Sequence, residues 1–361
     1  MTYVVAEIKR LNSNWNKRVQ KMSFIKYWVR SFIYMFRLIV GGLVYVLTKK
    51  TVPAAHQAMI MLFCRTRGRS SDAISWIISL FRQPKSIAEP NGILPGKGST
   101  EAAAAVKSLN ERGYYVFQNK LPAELCDELL NFATQHPALT RRMAGDVNEV
   151  VRIVYDREKP LAVRYDFSAQ DLVDNPSVQK VLADLSFASV AQEYLRAIPV
   201  LDIVSMWWHT GFSDQPDAEA AQFFHFDMDR PKWLKFFIYL TDVTTDNGPH
   251  FYIAGSHKTD GIPASLLDKG YSRLTDEEVE EQYAPADIIE FTAPRGTVLA
   301  EDTRGLHKGK HVISGDRLMF QIQFSNSLFG AASPVIKFAD KVGVELQDSI
   351  KRYPEVYSPF L

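Results

Sequence analysis

The sequence is poor in cysteine: it contains two, Cys64 and Cys126, and no Cys-x-x-Cys pair. Two cysteines cannot build the disulfide framework of a small secreted domain, and they do not supply a structural zinc site. This cysteine usage fits a reducing compartment, so we expect the protein to be cytoplasmic. The sequence also lacks internal repeats and low-complexity tracts, which excludes a repeat solenoid.

Acidic residues are nearly absent from the first 70 positions, where Glu7 stands alone against 13 lysines and arginines. The remaining positions hold 29 basic and 40 acidic residues, so the formal net charge of +1 hides a basic N-terminal part joined to an acidic body. The basic residues form no dense patch and no nucleic-acid-reading motif. We therefore expect no nucleic-acid partner.

The N-terminal part also lacks an uninterrupted membrane-spanning run. Its apolar stretch, SFIYMFRLIVGGLVYVLT at 31–48, is broken by Arg37 and two glycines, whereas a spanning helix needs ~20 mainly apolar residues. We favour an arm in which residues 1–70 make a peripheral contact with an anionic membrane surface. The open alternative is an apolar helical subdomain packed on the body or on a second subunit. A true span is less favoured, because a charge near its middle costs about 2.5 to 3.5 kcal/mol.

A Pro-, Gly- and Ser-rich stretch, SIAEPNGILPGKGST at 86–100, predicts a linker after this arm. Residues 101–112 are helix formers ended by Gly113, and they are followed by a strand, YYVF, and a helix, LPAELCDELLNFATQHP. A further helical stretch is predicted around residues 177–197. The acidic segment TDEEVEEQ at 275–282 is predicted to be a solvated helix or a lid.

From about residue 200 the hydrophobic period shifts toward two, which is typical of strands. The short β-branched and aromatic runs are LDIVSMWW, FFHFDMD, KFFIYLTDV, HFYIAG, DIIEF, TVLA and RLMFQIQFS. Turn signals such as DNGP, APRG and SGDR separate them. Many short strands with such turns predict a β-sandwich or a β-barrel.

One of these runs carries charge where a buried strand should be apolar. In FFHFDMDR at 223–230, His225 and Asp227 alternate with aromatic residues and would project from one face of a strand. A histidine and a carboxylate on one face are two-thirds of the 2-His-1-carboxylate triad that holds non-haem Fe(II). The dipeptide spacing alone is weak evidence, because such short motifs arise by chance. Asp229 is predicted to serve the turn or to support the site, since the triad uses one carboxylate.

The segment GTVLAEDTRGLHKGKHVISGDRLMFQIQF offers two candidates for the second histidine, His307 and His311. Ten residues after His307, Arg317 begins a strongly alternating strand. Arginine grips a carboxylate bidentately and stays protonated, so Arg317 suits the far carboxylate of a dicarboxylic cosubstrate. Further candidates for the cosubstrate are Gln222 and Lys235, and Trp207, Trp208 and His209 are candidates for the cavity wall. We expect His257, in the turn AGSHK, to be a structural residue.

Together these blocks resemble the phytanoyl-CoA dioxygenase family of Fe(II)- and 2-oxoglutarate-dependent oxygenases. The resemblance rests on HFD at 225–227, on KFFIYLTDVTTDNGPHFYIAGSHK at 235–258, and on LHKG followed by Arg317. The stretch ERGYYVFQNKLPAELCDELL at 111–130 is similar to the opening of that domain. The likeness covers roughly residues 100–330, in ordered blocks.

The resemblance implies an α+β fold with a double-stranded β-helix core, jelly-roll or cupin-like, surrounded by packed helices. We expect this domain at 96–335, after a basic, apolar helical arm at 1–95 and before a C-terminal tail at 336–361. The implied iron ligands are His225, Asp227 and His307, with Arg317 binding 2-oxoglutarate. The implied cofactors are Fe(II), 2-oxoglutarate and O2. Because Asp227 is present, the site resembles that of a hydroxylase more than that of a halogenase.

The sequence therefore predicts a dioxygenase that hydroxylates an aliphatic C–H of a small, lipid-like or membrane-associated substrate. Two alternatives remain open. One is a non-catalytic relative that keeps the barrel as a binding module, and the other is an oxygenase that acts on nucleic acid or protein.

Overall fold

The computed structural model describes residues 26–87, 92–143, 150–339 and 342–361. The first 25 residues of the predicted basic arm lie outside this part. The helices as far as residue 195 are Lys26–Thr48 (α1), Pro53–Thr66 (α2), Arg69–Phe81 (α3), Thr100–Glu111 (α4), Ala123–Gln135 (α5), Ala169–Asp174 (α6), Pro176–Ala183 (α7) and Leu185–Leu195 (α8). The later ones are Ala264–Leu267 (α9), Asp276–Glu280 (α10), Val344–Arg352 (α11) and Pro354–Tyr357 (α12).

The strands form two antiparallel sheets. They are Tyr114–Lys120 (β1), Ala138–Met143 (β2), Arg152–Ile153 (β3), Ala162–Asp166 (β4), Val200–Thr210 (β5), Trp233–Tyr239 (β6), His250–Ile253 (β7), Ile288–Phe291 (β8), Thr297–Glu301 (β9), His307–Gly309 (β10) and Asp316–Ser325 (β11). The large sheet has the order β1-β9-β6-β11-β5-β4-β2-β3, and the small sheet has the order β10-β7-β8.

Apolar side chains from both sheets meet in one cluster, which includes Trp207, Tyr239 and Met319 of the large sheet and Tyr252 and Phe291 of the small one. Two sheets that face each other across such a core confirm the predicted α+β fold with a double-stranded β-helix. The opposite face of the large sheet packs on helices, with α8 against β6 and β11. Inward and outward positions alternate along each strand, so both layers are specified by the period of two.

The large sheet contains three strands that the sequence analysis did not predict. Strands β2, β3 and β4 extend it beyond β5, and Arg164 and Tyr165 of β4 pair with His209 and Trp208. Hydrophobic alternation did not identify these strands, because they are short and mix exposed and buried positions. Leu139 of β2, for example, is exposed. The strand predicted for FFHFDMD is also absent. This segment makes isolated bridges instead, one from Phe224 to Leu274 and one from His225 to His307.

The N-terminal helices are attached to the body through α2 and α3. Phe63 of α2 lies 5.3 Å, ring to ring, from Phe226 in the HFD segment, and His56 Nε2 lies 2.8 Å from the carbonyl oxygen of Met228. From α3, Asp72 accepts a hydrogen bond from Arg304 (2.9 Å). This part of the predicted arm therefore forms the outer wall of the segment that carries His225 and Asp227.

The predicted linker and the C-terminal tail also pack on the body where the structure describes them. Leu94, after the predicted linker's undescribed residues 88–91, is buried, and its N–H donates to Ser186 of α8. In the tail, Leu346, Val356 and Phe360 enter the core on the helical side of the large sheet. Both segments lie against helices, which explains why their apolar residues recur without strand periodicity.

Candidate metal centre

Three side chains converge where the HFD segment meets β10. The possible ligand atoms of His225, Asp227 and His307 all lie within 4.8 Å of one another. His225 Nε2 is 3.8 Å from Asp227 Oδ1, and His307 Nε2 is 3.4 Å from Asp227 Oδ2. Neighbouring ligands of an octahedral ion lie about 3 Å apart for metal–nitrogen bonds of ~2.1 Å, so a small inward movement would close the set on a metal.

Backbone pairing brings the two histidines together. His225 N donates to the His307 carbonyl oxygen (3.0 Å), and His307 N donates to the His225 carbonyl oxygen (2.9 Å). Asp227 N donates to the Thr303 carbonyl oxygen (2.7 Å), which fixes the carboxylate beside them. The alternation within HFD thus places His225 and Asp227 on one side, although the segment is not a regular strand.

Each histidine ring is oriented by a backbone carbonyl two residues upstream. Nδ1 of His225 lies 2.9 Å from the Phe223 oxygen, and Nδ1 of His307 lies 3.0 Å from the Gly305 oxygen. A proton on each Nδ1 satisfies these contacts and leaves Nε2 with a free lone pair, which is the tautomer that binds a metal. The donor set therefore fits a divalent metal ion.

The charges of the site suit a cation as well. Burial and the neighbouring His307 hold the pKa of His225 well below its usual range, so its imidazole is neutral. Burial alone would raise the pKa of Asp227, but Lys235 and His307 outweigh it and hold that pKa well below its usual range. A neutral imidazole and an ionised carboxylate are the forms that coordinate metal.

Arg317 lies at the other end of the interior and is 1% exposed. It donates from Nη1 to the Gly248 carbonyl oxygen, and from Nη2 to His209 Nδ1 at 2.6 Å. Among the described residues no carboxylate pairs with it, and burial lowers the pKa of Arg317 to about 10. A buried guanidinium without an anionic partner is costly, so this position fits the carboxylate of a ligand.

Two further buried donors near Arg317 lack an acceptor. Nε2 of Gln222 and Nε1 of Trp207 make no hydrogen bond within the described part of the chain, and neither does Nε of Arg317. Trp207 precedes His209 on the same face of β5, and Gln222 follows the Ala220 carbonyl that accepts from His209. Unsatisfied buried donors cost about 1 to 3 kcal/mol each, so their grouping fits a dicarboxylate that would accept from them.

Gly309 lies between the metal ligands and Arg317. It follows His307 by two positions on β10, and a Cβ at Gly309 would lie 3.1 Å from Arg317 Nη2. Residues two apart in a strand project to the same face about 7 Å apart. The glycine therefore keeps an open path between the metal ligands and the guanidinium.

The other predicted residues lie as follows. Lys235 Nζ contacts Asp227 Oδ2 at 2.6 Å and Asp229 Oδ2 at 3.9 Å, so it sits at the metal ligands rather than near Arg317. Asp229 and His311 are outside the three-residue ligand group. His257 is buried in its turn, and burial lowers its pKa to about 4, as suits a structural residue.

A buried pair beside the site was missed from the sequence. His250 Nε2 lies 2.8 Å from Glu301 Oε2, and the His250 ring stacks on His307 with centroids 5.7 Å apart. His250 is the partner of Gly309 in the ladder between β7 and β10. The alternation in HFYI, with His250 and Tyr252 on one face, was the signal that could have found it.

Comparison with known proteins gives the following. The sequence model of the family described as "Phytanoyl-CoA dioxygenase (PhyH)" matches residues 109–319. No curated protein matches the chain. Among solved structures, EctD from S. alaskensis is similar at 19% identity over 74% of this chain and 90% of its own, with a TM-score of 0.45.

Two further solved structures show a comparable likeness. AviO1 from Streptomyces viridochromogenes Tue57 is 17% identical over 66% of this chain and 99% of its own, with a TM-score of 0.41. SnoK, the non-haem alpha-ketoglutarate-dependent carbocyclase of nogalamycin biosynthesis, is 17% identical over 66% of this chain and 87% of its own, with a TM-score of 0.42.

Proposed function

The chain belongs to the phytanoyl-CoA dioxygenase family of Fe(II)- and 2-oxoglutarate-dependent oxygenases, and we propose that it hydroxylates an aliphatic C–H of a small, lipid-like substrate. Its cofactors are Fe(II), 2-oxoglutarate and O2. Bound iron supplies the oxidising chemistry, in which 2-oxoglutarate is decarboxylated to succinate as the substrate is oxidised. The single observation that carries the proposal is the convergence of the possible ligand atoms of His225, Asp227 and His307 within 4.8 Å of one another.

The protein's own residues have separate roles in this proposal. His225, Asp227 and His307 hold the metal, and their backbone hydrogen bonds fix the orientation of both imidazoles. Arg317 binds the far carboxylate of 2-oxoglutarate, with His209 holding the guanidinium in place. Gln222, whose Nε2 has no acceptor within the described residues, donates to the same ligand. Because these residues fix the position of the cosubstrate, the position of the bound substrate determines which C–H is oxidised.

Hydroxylation is favoured over halogenation by Asp227. A retained carboxylate keeps three protein ligands on the metal, whereas a halide would need that position. The same intact ligand set, together with the unpaired Arg317, weighs against a non-catalytic binding module, because an uncompensated buried charge is retained at a cost.

The experiment is anaerobic titration of the full chain with Fe(II) and then with 2-oxoglutarate, followed by visible absorption. We expect a charge-transfer band that requires both ligands, and succinate formation once O2 and an aliphatic substrate are admitted. Asp227→Ala is the control, and it should abolish the band while the circular dichroism spectrum stays that of the folded protein. A folded wild-type protein that binds Fe(II) but neither binds nor consumes 2-oxoglutarate would overturn the proposal.

We also propose that the enzyme works on the cytoplasmic side of a membrane, with a peripheral contact through residues 1–70. The 13 basic residues against one acidic residue in this part support it, and so do two free, buried cysteines, which suit a reducing compartment. Fractionation of cells that express the full chain should recover it with membranes and release it at high salt. Recovery in the soluble fraction at low salt would contradict this localisation.

A further inference from the structure

Helix α1 presents far more apolar surface than its packing needs. Among the described residues it is the one helix long and apolar enough to cross a membrane by length and composition. Only 6% of its most apolar 18-residue segment is buried. Its packed stripe is narrow and follows helical spacing through Ser31, Tyr34, Leu38, Gly41 and Tyr45. At Gly41 a Cβ would meet the Cβ of Ala55, so α1 approaches α2 closely along this stripe.

The opposite face of α1 is an exposed apolar stripe. It comprises Trp28, Phe32, Phe36, Ile39, Leu43 and Leu47, whose spacing of three to four residues keeps them on one side of the helix. Phe32 is 64% exposed, Leu43 is 62% exposed and Leu47 is 83% exposed. Large apolar side chains that lie side by side and exposed mark an interaction site.

A second apolar face lies on α3, which packs on α2 as α1 does. Its exposed members are Trp76, Ile77, Leu80 and Phe81, with Trp76 64% and Phe81 83% exposed. Its inner side is small and polar, with Ser71 and Ser75 buried. The largest apolar residues of this helix therefore face outward. In an ordinary surface helix such residues face the protein core.

Charge identifies the occupant. Lys26 and Arg30 lie at the start of α1, Arg37 lies within it, and Lys49 and Lys50 follow it. Each basic residue near an anionic bilayer contributes about 1 kcal/mol of attraction. The same charges would repel a second copy of this strongly basic surface, so homodimerisation through it is disfavoured.

We propose that the exposed faces of α1 and α3 form one docking surface for an anionic lipid bilayer, and that it brings the metal centre to a membrane-held substrate. This deepens the membrane contact in the proposed function and rests on it. Helix α2 connects the docking surface to the metal centre. It packs on α1, and it also packs on Phe226, which lies between two metal-ligand residues.

The test is co-sedimentation of the full chain with vesicles of phosphatidylcholine alone or mixed with phosphatidylglycerol. We expect binding to the mixed vesicles, weak binding to the neutral ones, and a loss of binding as salt rises. Phe36→Glu with Leu43→Glu tests α1, and Trp76→Glu with Phe81→Glu tests α3; each pair should weaken binding at least tenfold. Val335→Glu is the matched control, since Val335 is 86% exposed and lies on the body; it should bind as the wild type does.

Each variant is also titrated with Mn(II) and 2-oxoglutarate. Unchanged metal and cosubstrate binding with lost vesicle binding supports the docking surface, and failure of 2-oxoglutarate binding in the wild type would count against the proposed chemistry instead. Equal binding to neutral and anionic vesicles would overturn the docking proposal. So would resistance to alkaline carbonate, which indicates a true span, or self-association without vesicle binding.

Discussion

The ammonium of Lys235 lies 2.6 Å from Oδ2 of Asp227, the same oxygen that lies 3.4 Å from His307 Nε2. Without metal, the buried carboxylate is therefore balanced by a lysine of β6, in the large sheet. Burial alone would lower the pKa of Lys235, but Asp227 and Asp229 outweigh it and raise that pKa, so the ammonium keeps its charge. A cation that binds Asp227 must share the carboxylate with this ammonium or displace it.

This competition predicts the effect of Lys235→Met. The variant removes a positive charge beside the metal site, so Mn(II) should bind at least tenfold more tightly, as monitored by electron paramagnetic resonance. The metal-free variant should be less stable, because it leaves Asp227 buried without its strongest partner. Lys232→Met is the control, since Lys232 donates to the Tyr194 carbonyl oxygen away from the ligands. Weaker metal binding by Lys235→Met would mean that the lysine orients Asp227 rather than opposing the metal.

The choice between two nearby histidines is tested by His307→Ala and His311→Ala. Loss of groups that merely support a ligand costs roughly 10- to 100-fold in metal affinity, so His307→Ala should cost about 100-fold or more and abolish 2-oxoglutarate turnover. His311→Ala should leave both unchanged, because His311 lies outside the ligand group. Equal losses in the two variants would contradict the assignment of His307.

Arg317→Lys tests the cosubstrate site. Hydrogen bonds to charged groups contribute about 1.5 to 3 kcal/mol, and lysine cannot reproduce the planar fork, so the KM for 2-oxoglutarate should rise roughly 10- to 150-fold with little change in Mn(II) affinity. The matched control is Arg157→Lys, because Arg157 pairs with the adjacent Asp316 near the surface. A rise in KM for both variants would point to a general disturbance of β11.

Phe63→Ala tests the contact between α2 and the HFD segment. Truncating a buried phenylalanine costs about 3 to 5 kcal/mol, and we expect weaker Mn(II) binding as well, because Phe63 packs on Phe226 between two metal-ligand residues. Phe81→Ala, on the exposed face of α3, should change neither the free energy of unfolding nor the metal affinity. Lower stability with unchanged metal affinity would show that α2 does not position the ligands.

The residues of the candidate site could be predicted from the sequence better than the elements that pack around them. His225 and Asp227 were found because they alternate with aromatic residues, and Arg317 because it begins an alternating strand. The choice of His307 over His311 came from the resemblance to the family, since the residues alone left both open. The packing of α2 on the HFD segment could not, since it joins residues about 170 positions apart, as in the contact between His56 and Met228. Lys235 was named as a candidate for the cosubstrate, but its contact with Asp227 was not predicted, because it joins two segments that are not paired with each other.

The same limit applies to Glu301, which directly follows the predicted strand run TVLA and whose partner His250 was not predicted, and it leads to a pH prediction. Burial raises the pKa of Glu301 to about 8, whereas the carboxyl in the unfolded chain titrates near 4.3. Between these values the folded chain keeps a proton that the unfolded chain has released, so this contribution to stability is full below about pH 4.3 and is lost as pH rises toward 8.

Glu301→Gln keeps a neutral group beside His250 and removes the titration. The free energy of unfolding of the wild type minus that of the variant, from urea titrations of metal-free protein, should fall with rising pH by at most ~1.4 kcal/mol per unit and level off above 8. A difference that rises with pH over this window would mean that Glu301 is ionised in the folded protein and paired with a protonated His250.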